Sequence, residues 1–120
     1  MARTVIISRD AAILSRVNEL DEGTVTWVED CASLESALSL AVQQVIVDLN
    51  IEWDRDLAHC ITECKERGAS SVIAFLHERT PGDLAIRAHV AGADRVIPQS
   101  QLEDEFDLII GRTDASGGGR

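Results

Sequence analysis

Short apolar segments alternate along this chain with longer segments in which apolar residues recur every three or four positions. The short segments are rich in β-branched residues and show little apolar and polar alternation, which is typical of strands that are buried on both faces. They predict five strands, at 4–7, 25–28, 45–47, 72–76 and 95–97.

The longer segments predict a helix after each strand. Asp10 is well placed to cap the first helix, whose apolar stripe contains Ile13, Val17 and Leu20 and which ends before Gly23. The remaining predicted helices span about 33–42, 57–67, 81–91 and 101–110.

Five consecutive strand and helix units predict one α/β domain, built on a parallel sheet with right-handed crossovers and helices on both faces. We expect this domain over residues 1–112 and a flexible, glycine-rich tail over 113–120. The functional crevice of such a sheet lies at the carboxyl ends of its strands. The side chains predicted there are Ser8, Arg9, Asp48, His77 and Gln99.

Charge and composition narrow the classes of partner. The net charge of −10 and the lack of a Lys/Arg stripe disfavour direct binding to nucleic acid, so a protein partner with a basic or apolar surface is expected. No long apolar run or export signal is evident, so we expect no membrane insertion. The three cysteines match no disulfide framework of small secreted domains, which favours a reducing, cytoplasmic location.

Two segments resemble the receiver domains of response regulators. Residues 45–50, Val-Ile-Val-Asp-Leu-Asn, are similar to the third strand of that family, where the terminal aspartate accepts a phosphoryl group. Residues 91–97, Ala-Gly-Ala-Asp-Arg-Val-Ile, are similar to the segment that leads into its fifth strand. The resemblance implies a flavodoxin-like (βα)5 doubly wound fold with strand order 2-1-3-4-5, and it makes Asp48 the phosphoacceptor position.

Other positions of the family's pocket differ in this chain. The acidic pair that holds Mg²⁺ is replaced by Ser8 and Arg9, the Ser or Thr after the fourth strand by His77, and the Lys after the fifth strand by Gln99. Asn50 stands where the family supplies a backbone carbonyl to the metal. We therefore expect a degenerate pocket without a metal site, although a one-residue shift of the alignment would bring Asp10 into it.

Several side chains near this pocket have two interpretations. Arg9 either pairs with Asp48 in place of the metal or is a solvated arginine at the end of a strand. His77 is either a pH-sensitive or phosphate-contacting group or an ordinary polar residue. Trp53, in the loop after Asp48, either covers the core or anchors a partner.

A cluster of potential metal ligands lies on the third predicted helix. His59, Cys60 and Cys64 are close in sequence, but their spacing matches no strong zinc pattern. We instead expect Cys60 and Cys64 to be reduced, buried residues on the inner stripe of that helix.

These observations favour a pseudo-receiver that acts as a protein-interaction module in phosphorelay signalling, with no enzymatic activity and no cofactor. The alternative is a working receiver that is phosphorylated on Asp48. The expected partner surface is formed by the helix at about 81–91 and the fifth strand, through Ile86, Arg87, Val90 and Val96. A homodimer through the same surface is one form that this interaction could take.

Overall fold

The computed structural model describes residues 4–19, 25–30, 42–50, 57–77 and 82–113. Its sheet contains five parallel strands in the order β2-β1-β3-β4-β5. The strands are β1 (Thr4–Ile7), β2 (Val25–Val28), β3 (Gln44–Asp48), β4 (Ser71–Leu76) and β5 (Arg95–Pro98). This topology confirms the predicted flavodoxin-like fold.

Five helices lie in the described part of the chain. They are α1 (Ala11–Asn18), α2 (Leu57–Glu66), α3 (Gly82–Ala91), α4 (Gln99–Asp104) and α5 (Phe106–Thr113). None of these helices is long and apolar enough to cross a membrane. The helix predicted at 33–42 and Trp53 lie outside the described residues.

The last predicted helix differs from the observed structure. In place of one helix at about 101–110, α4 begins directly after Pro98, and the helical backbone is interrupted at Glu105, where φ is −101° and ψ is 10°. The second segment, α5, runs to Thr113, one residue into the predicted tail. The other residues of that tail lie outside the described part.

The sheet separates two layers of buried side chains, because successive residues of a strand point to opposite faces. Val5 and Val45 belong to the layer that α2 and α3 cover, whereas Ile6 and Ile46 belong to the layer shared with α1, α4 and α5. Most positions of these strands therefore carry apolar residues, which explains the nearly continuous apolar segments of the sequence.

On the inner face of α2, one of the predictions about the cysteines is wrong. Cys60 and Cys64 are both buried, as expected, and Cys64 is a free thiol. Cys60, however, is disulfide-bonded, so the expectation of a reduced thiol is wrong at this position. Sequence spacing could not reveal this, because a disulfide depends on which residues the fold brings together. The disulfide also removes the argument from cysteine usage for a reducing compartment, and cytoplasmic location stays a prediction.

The structure does not assemble the potential metal ligands of α2. His59 is exposed and faces Glu63, with 3.6 Å between Nε2 and Oε1, whereas Cys60 and Cys64 are on the buried side. Among the described residues, no three His, Cys, Asp or Glu side chains are grouped to hold a metal ion.

A polar brace closes the amino-terminal edge of the sheet. The Asp94 carboxylate accepts hydrogen bonds from Lys65 Nζ at 2.9 Å and from the Val72 backbone N–H at 2.8 Å. Burial opposes ionisation of Asp94, but these hydrogen bonds and the Lys65 charge prevail, so the pKa of Asp94 is lowered. Gly92, with φ of 126°, makes the turn that leads into this brace. The brace gives Asp94, in the 91–97 segment, a structural role.

Candidate functional site

Asp48 is the last residue of the central strand β3, and its side chain is only 2% exposed. Ser8 follows the neighbouring strand β1 and is fully buried. The Ser8 hydroxyl donates a hydrogen bond of 2.6 Å to Asp48 Oδ2. The two residues meet because β1 and β3 are paired in register up to Ile7 and Val47.

Asn50 satisfies the other oxygen of Asp48. Its backbone N–H and its side-chain Nδ2 donate to Asp48 Oδ1 at 2.8 and 2.7 Å. Both carboxylate oxygens therefore accept hydrogen bonds from neutral protein groups, which is how a buried carboxylate is commonly stabilised. The sequence predicted that Ser8, Asp48 and Asn50 share a pocket, and the structure brings them together.

Arg9 does not take part in this arrangement. Its side chain is exposed, and its Nε donates to the Glu29 backbone carbonyl at 3.0 Å. The hypothesis of an Arg9–Asp48 ion pair is therefore wrong. Consecutive residues at the end of an extended strand point in opposite directions, so when Ser8 faces Asp48, Arg9 faces away.

Asp10 has the capping role that the sequence predicted. Its Oδ1 accepts hydrogen bonds from the N–H groups of Ala12 and Ile13 at 2.8 and 3.2 Å, at the start of α1. Its own backbone N–H donates to Ser8 Oγ at 3.0 Å. The carboxylate of Asp10 thus lies at the crevice but is used to cap a helix.

His77 and Gln99 both contact the second oxygen of Asp10. His77 Nε2 lies 3.6 Å from Asp10 Oδ2, and Gln99 Nε2 donates to the same oxygen at 3.2 Å. The His77 backbone N–H donates to Asn50 Oδ1 at 3.0 Å. The contacts of Ser8 with Asp48 and Asp10, of Asn50 with Asp48 and His77, and of His77 with Asp10 form a closed ring at the carboxyl edge of the sheet. We call it the crevice ring. Its members are Ser8, Asp10, Asp48, Asn50 and His77.

Glu103 lies near this ring, although the sequence pattern did not indicate it as a pocket residue. Gln99 Nε2 also donates to Glu103 Oε2 at 3.0 Å, so a single amide group bridges two carboxylates. The signal for this contact was the spacing of four residues within one helix, which places the two side chains on the same face.

The residues present do not fit the Mg²⁺ site that receiver domains carry. Mg²⁺ requires several oxygen ligands in near-octahedral geometry, usually with more than one carboxylate. Here the Ser8 hydroxyl lies beside Asp48 where the family has a carboxylate, and Arg9 faces away. Asp10 is a second carboxylate at the crevice, but its Oδ1 caps α1 and its Oδ2 accepts the Gln99 amide.

A second candidate surface lies between α3 and β5. Ile86 and Val90 project outward, with 67% and 79% of their surface exposed, as the helical spacing predicted. Arg87 is also exposed, and Val96 is half-buried. An open groove of about 410 Å³ lies beside them, lined by Ala85, Ile86, His89, Asp94, Arg95 and Val96.

Comparison with known proteins identifies this architecture. No protein-family profile and no curated protein sequence matches the chain. Several solved structures do match the chain. The receiver domain of the TMAO respiratory system response regulator TorR superposes with a TM-score of 0.71 at 17% identity, over 94% of this chain and 99% of that one.

Two further structures give the same result. The beryllofluoride-activated NtrC4 receiver domain dimer has a TM-score of 0.67 at 18% identity, covering 92% of this chain and 94% of that one. A response regulator receiver domain protein from Clostridium thermocellum has a TM-score of 0.67 at 18% identity, with 98% of both chains covered. The chain thus has the fold of response-regulator receiver domains, with Asp48 at the end of its central strand.

Proposed function

We propose that this chain is an atypical receiver module that acts in signal transduction by binding a protein partner, without Mg²⁺-dependent phosphorylation of Asp48. The observation that supports this most strongly is the crevice ring. Ser8 and Asn50 supply three neutral hydrogen bonds to the Asp48 carboxylate, which is 2% exposed. Both oxygens of this carboxylate therefore already accept hydrogen bonds from protein groups.

Phosphoryl transfer to a carboxylate requires positive charge and fixed donors around the transferring group. Neither Arg9 nor Gln99 supplies that charge here. Arg9 bonds to the Glu29 carbonyl, and Gln99, in place of a lysine, donates a neutral amide to Asp10 and Glu103. Removing even one charge-stabilising donor from an active site typically costs about 10²–10³ in rate. Loss of the metal-binding acidic pair together with the lysine favours a module without phosphotransfer.

The partner surface in this proposal is the outward face of α3 with the adjoining groove, formed by Ile86, Arg87, Val90 and Val96 and called the α3–β5 surface below. Ile86 and Val90 lie one helical turn apart and together form an exposed apolar ridge. Exposed large apolar side chains that adjoin each other mark interaction sites more often than isolated ones. The net charge of −10 favours a partner whose apolar contact is flanked by basic residues.

A second copy of the chain could also bind to the α3–β5 surface, and an experiment must distinguish this self-association from binding of a different protein. The NtrC4 structure is a dimer of receiver domains, which makes self-association a defined outcome for this fold. Two chains of charge −10 repel each other at low ionic strength, so we favour a different protein as the partner.

Beryllofluoride, which mimics a phosphoryl group on aspartate, tests the proposal directly. We expect no chemical-shift changes at the amides of Asp48, His77 and Val96 when Mg²⁺ and beryllofluoride are added to the protein. Saturable shifts that the Asp48→Asn variant does not show would support the alternative, a receiver that can be phosphorylated.

A further inference from the structure

Hydrogen bonding between β3 and β4 continues past the ends of both strands. The Leu49 N–H donates to the Phe75 carbonyl at 2.9 Å, as in a regular parallel ladder. In such a ladder the carbonyl of Leu49 would next accept the N–H of His77. Here the side chain of Asn50 accepts it instead, with 3.0 Å between Oδ1 and the His77 nitrogen.

The other end of the same amide group is also occupied. Asn50 Nδ2 donates to Asp48 Oδ1 at 2.7 Å, and the Asn50 backbone N–H donates to the same oxygen. The Asn50 side chain therefore links the Asp48 carboxylate directly to the residue that follows β4. An asparagine is suited to this link because its amide carries both a donor and an acceptor.

The end of β4 is in turn connected to the α3–β5 surface. Leu76, which precedes His77, pairs with Pro98 of β5. Its side chain packs against the same buried cluster as Leu84 of α3 and Val96 of β5. A shift of the end of β4 would thus move residues that support the α3–β5 surface from below.

We propose that Asn50 is a positioning residue that holds the end of β4, and with it the α3–β5 surface, in one conformation whatever the charge on Asp48. The inference rests on the proposed function only in treating that surface as the binding face. Here the link is made by neutral groups that are always present.

Amide hydrogen exchange measured by NMR tests the inference without any partner. In Asn50→Ala we expect the His77 amide to exchange about tenfold faster, because its acceptor is lost. We also expect faster exchange or shifted resonances at Leu76 and Val96, with the Ile46 amide of the central strand unchanged as a measure of global stability. Asn50→Ser provides a second variant, since its hydroxyl is too short to reach both partners.

Two controls separate the link from general effects on the pocket. Ser8→Ala removes a different hydrogen bond to Asp48 and should leave the protection of His77 unchanged relative to that of Ile46. Asp48→Asn removes the charge but keeps an acceptor for Asn50, and should leave His77 and Val96 unchanged. The inference is overturned if His77 exchange in Asn50→Ala equals that of the wild type, if the effect stops at His77, or if Asp48→Asn alone releases Val96. If Ile86 and Val90 prove irrelevant to binding, the proposed function fails while this exchange result still stands.

Discussion

The Ser8 hydroxyl and the Asp48 carboxylate are joined by a hydrogen bond of 2.6 Å across the neighbouring strands β1 and β3. Ser8 is fully buried, and its oxygen also accepts the Asp10 backbone N–H. A position that would carry a metal-binding carboxylate in a working receiver therefore stabilises Asp48 directly.

Replacing Ser8 should reveal the contribution of this hydrogen bond to stability. We expect Ser8→Ala to lower the free energy of unfolding by about 1–3 kcal/mol, because it leaves a buried carboxylate oxygen and the Asp10 N–H without their partner. Urea denaturation measures the change. Ser15→Ala, at an exposed position of α1, is the matched control and should change stability by less than about 0.5 kcal/mol. Equal stability of the two variants would contradict the account.

The polar brace around Asp94 predicts a specific pH dependence. Because the pKa of Asp94 is lowered from its ordinary value of 3.8, the stabilisation is fully present above that value and is lost as the pH falls through the folded-state pKa. Wild type should be more stable than Asp94→Asn at pH 7, and the difference should shrink below pH 3.8. Denaturation curves of both proteins at several pH values measure it. A difference that stays constant into strong acid would contradict the role of the brace.

The two cysteines of α2 should differ in reactivity. Burial, with a contribution from the charge of Glu63, raises the pKa of the Cys64 thiol to about 12, so an alkylating reagent should label it slowly in the native protein. After unfolding without reductant, the reagent should label the Cys64 thiol but not Cys60, because the sulfur of Cys60 is held in a disulfide. Peptide mapping by mass spectrometry distinguishes the two sites. Labelling of Cys60 in the absence of reductant would contradict the disulfide.

The apolar ridge on α3 should matter for binding and not for folding. Paired substitution of Ile86 and Val90 by Ser should leave stability within about 0.5 kcal/mol, since both side chains are largely exposed. Partner capture by the wild type identifies a binding protein, and titration of that purified protein then compares variants. We expect the affinity for this partner to fall at least about tenfold, because two exposed apolar anchors are removed.

Leu108→Ser supplies the control for that comparison, because Leu108 is also a large exposed apolar residue, 55% accessible, but lies on α5. Sedimentation velocity of the same proteins shows whether a second copy is the occupant. Unchanged affinity in the Ile86 and Val90 variant, or an equal loss in the Leu108 variant, would place the binding surface elsewhere.

The architecture could be predicted from the sequence because buried parallel strands leave a clear signal. Segments such as Thr4–Ile7 are buried along their whole length. Asp10 is a residue type that commonly caps helices, and it stands directly before the first helix. The strand order followed from the resemblance of two short segments to receiver domains, since periodicity alone does not determine which strands pair.

The site was only partly predictable, because its geometry depends on side-chain directions at the ends of strands. The sequence predicted that Ser8, Arg9 and Asp48 lie at one edge of the sheet. It did not predict that Ser8 turns toward Asp48 while Arg9 turns toward Glu29. The bond between Asn50 and His77 is a tertiary contact between loops, which leaves no periodic pattern. The same reason explains the missed disulfide at Cys60.

The central claim, that Asp48 is not phosphorylated by the usual metal-dependent chemistry, is tested most directly by intact-mass spectrometry after incubation with Mg²⁺ and a small-molecule phosphodonor such as acetyl phosphate. A typical receiver domain, treated in parallel, provides the positive control. We expect no phosphoryl adduct on this chain under conditions that modify the control. An adduct that requires Mg²⁺ and disappears in Asp48→Asn would contradict it and establish Asp48 as a working phosphoacceptor.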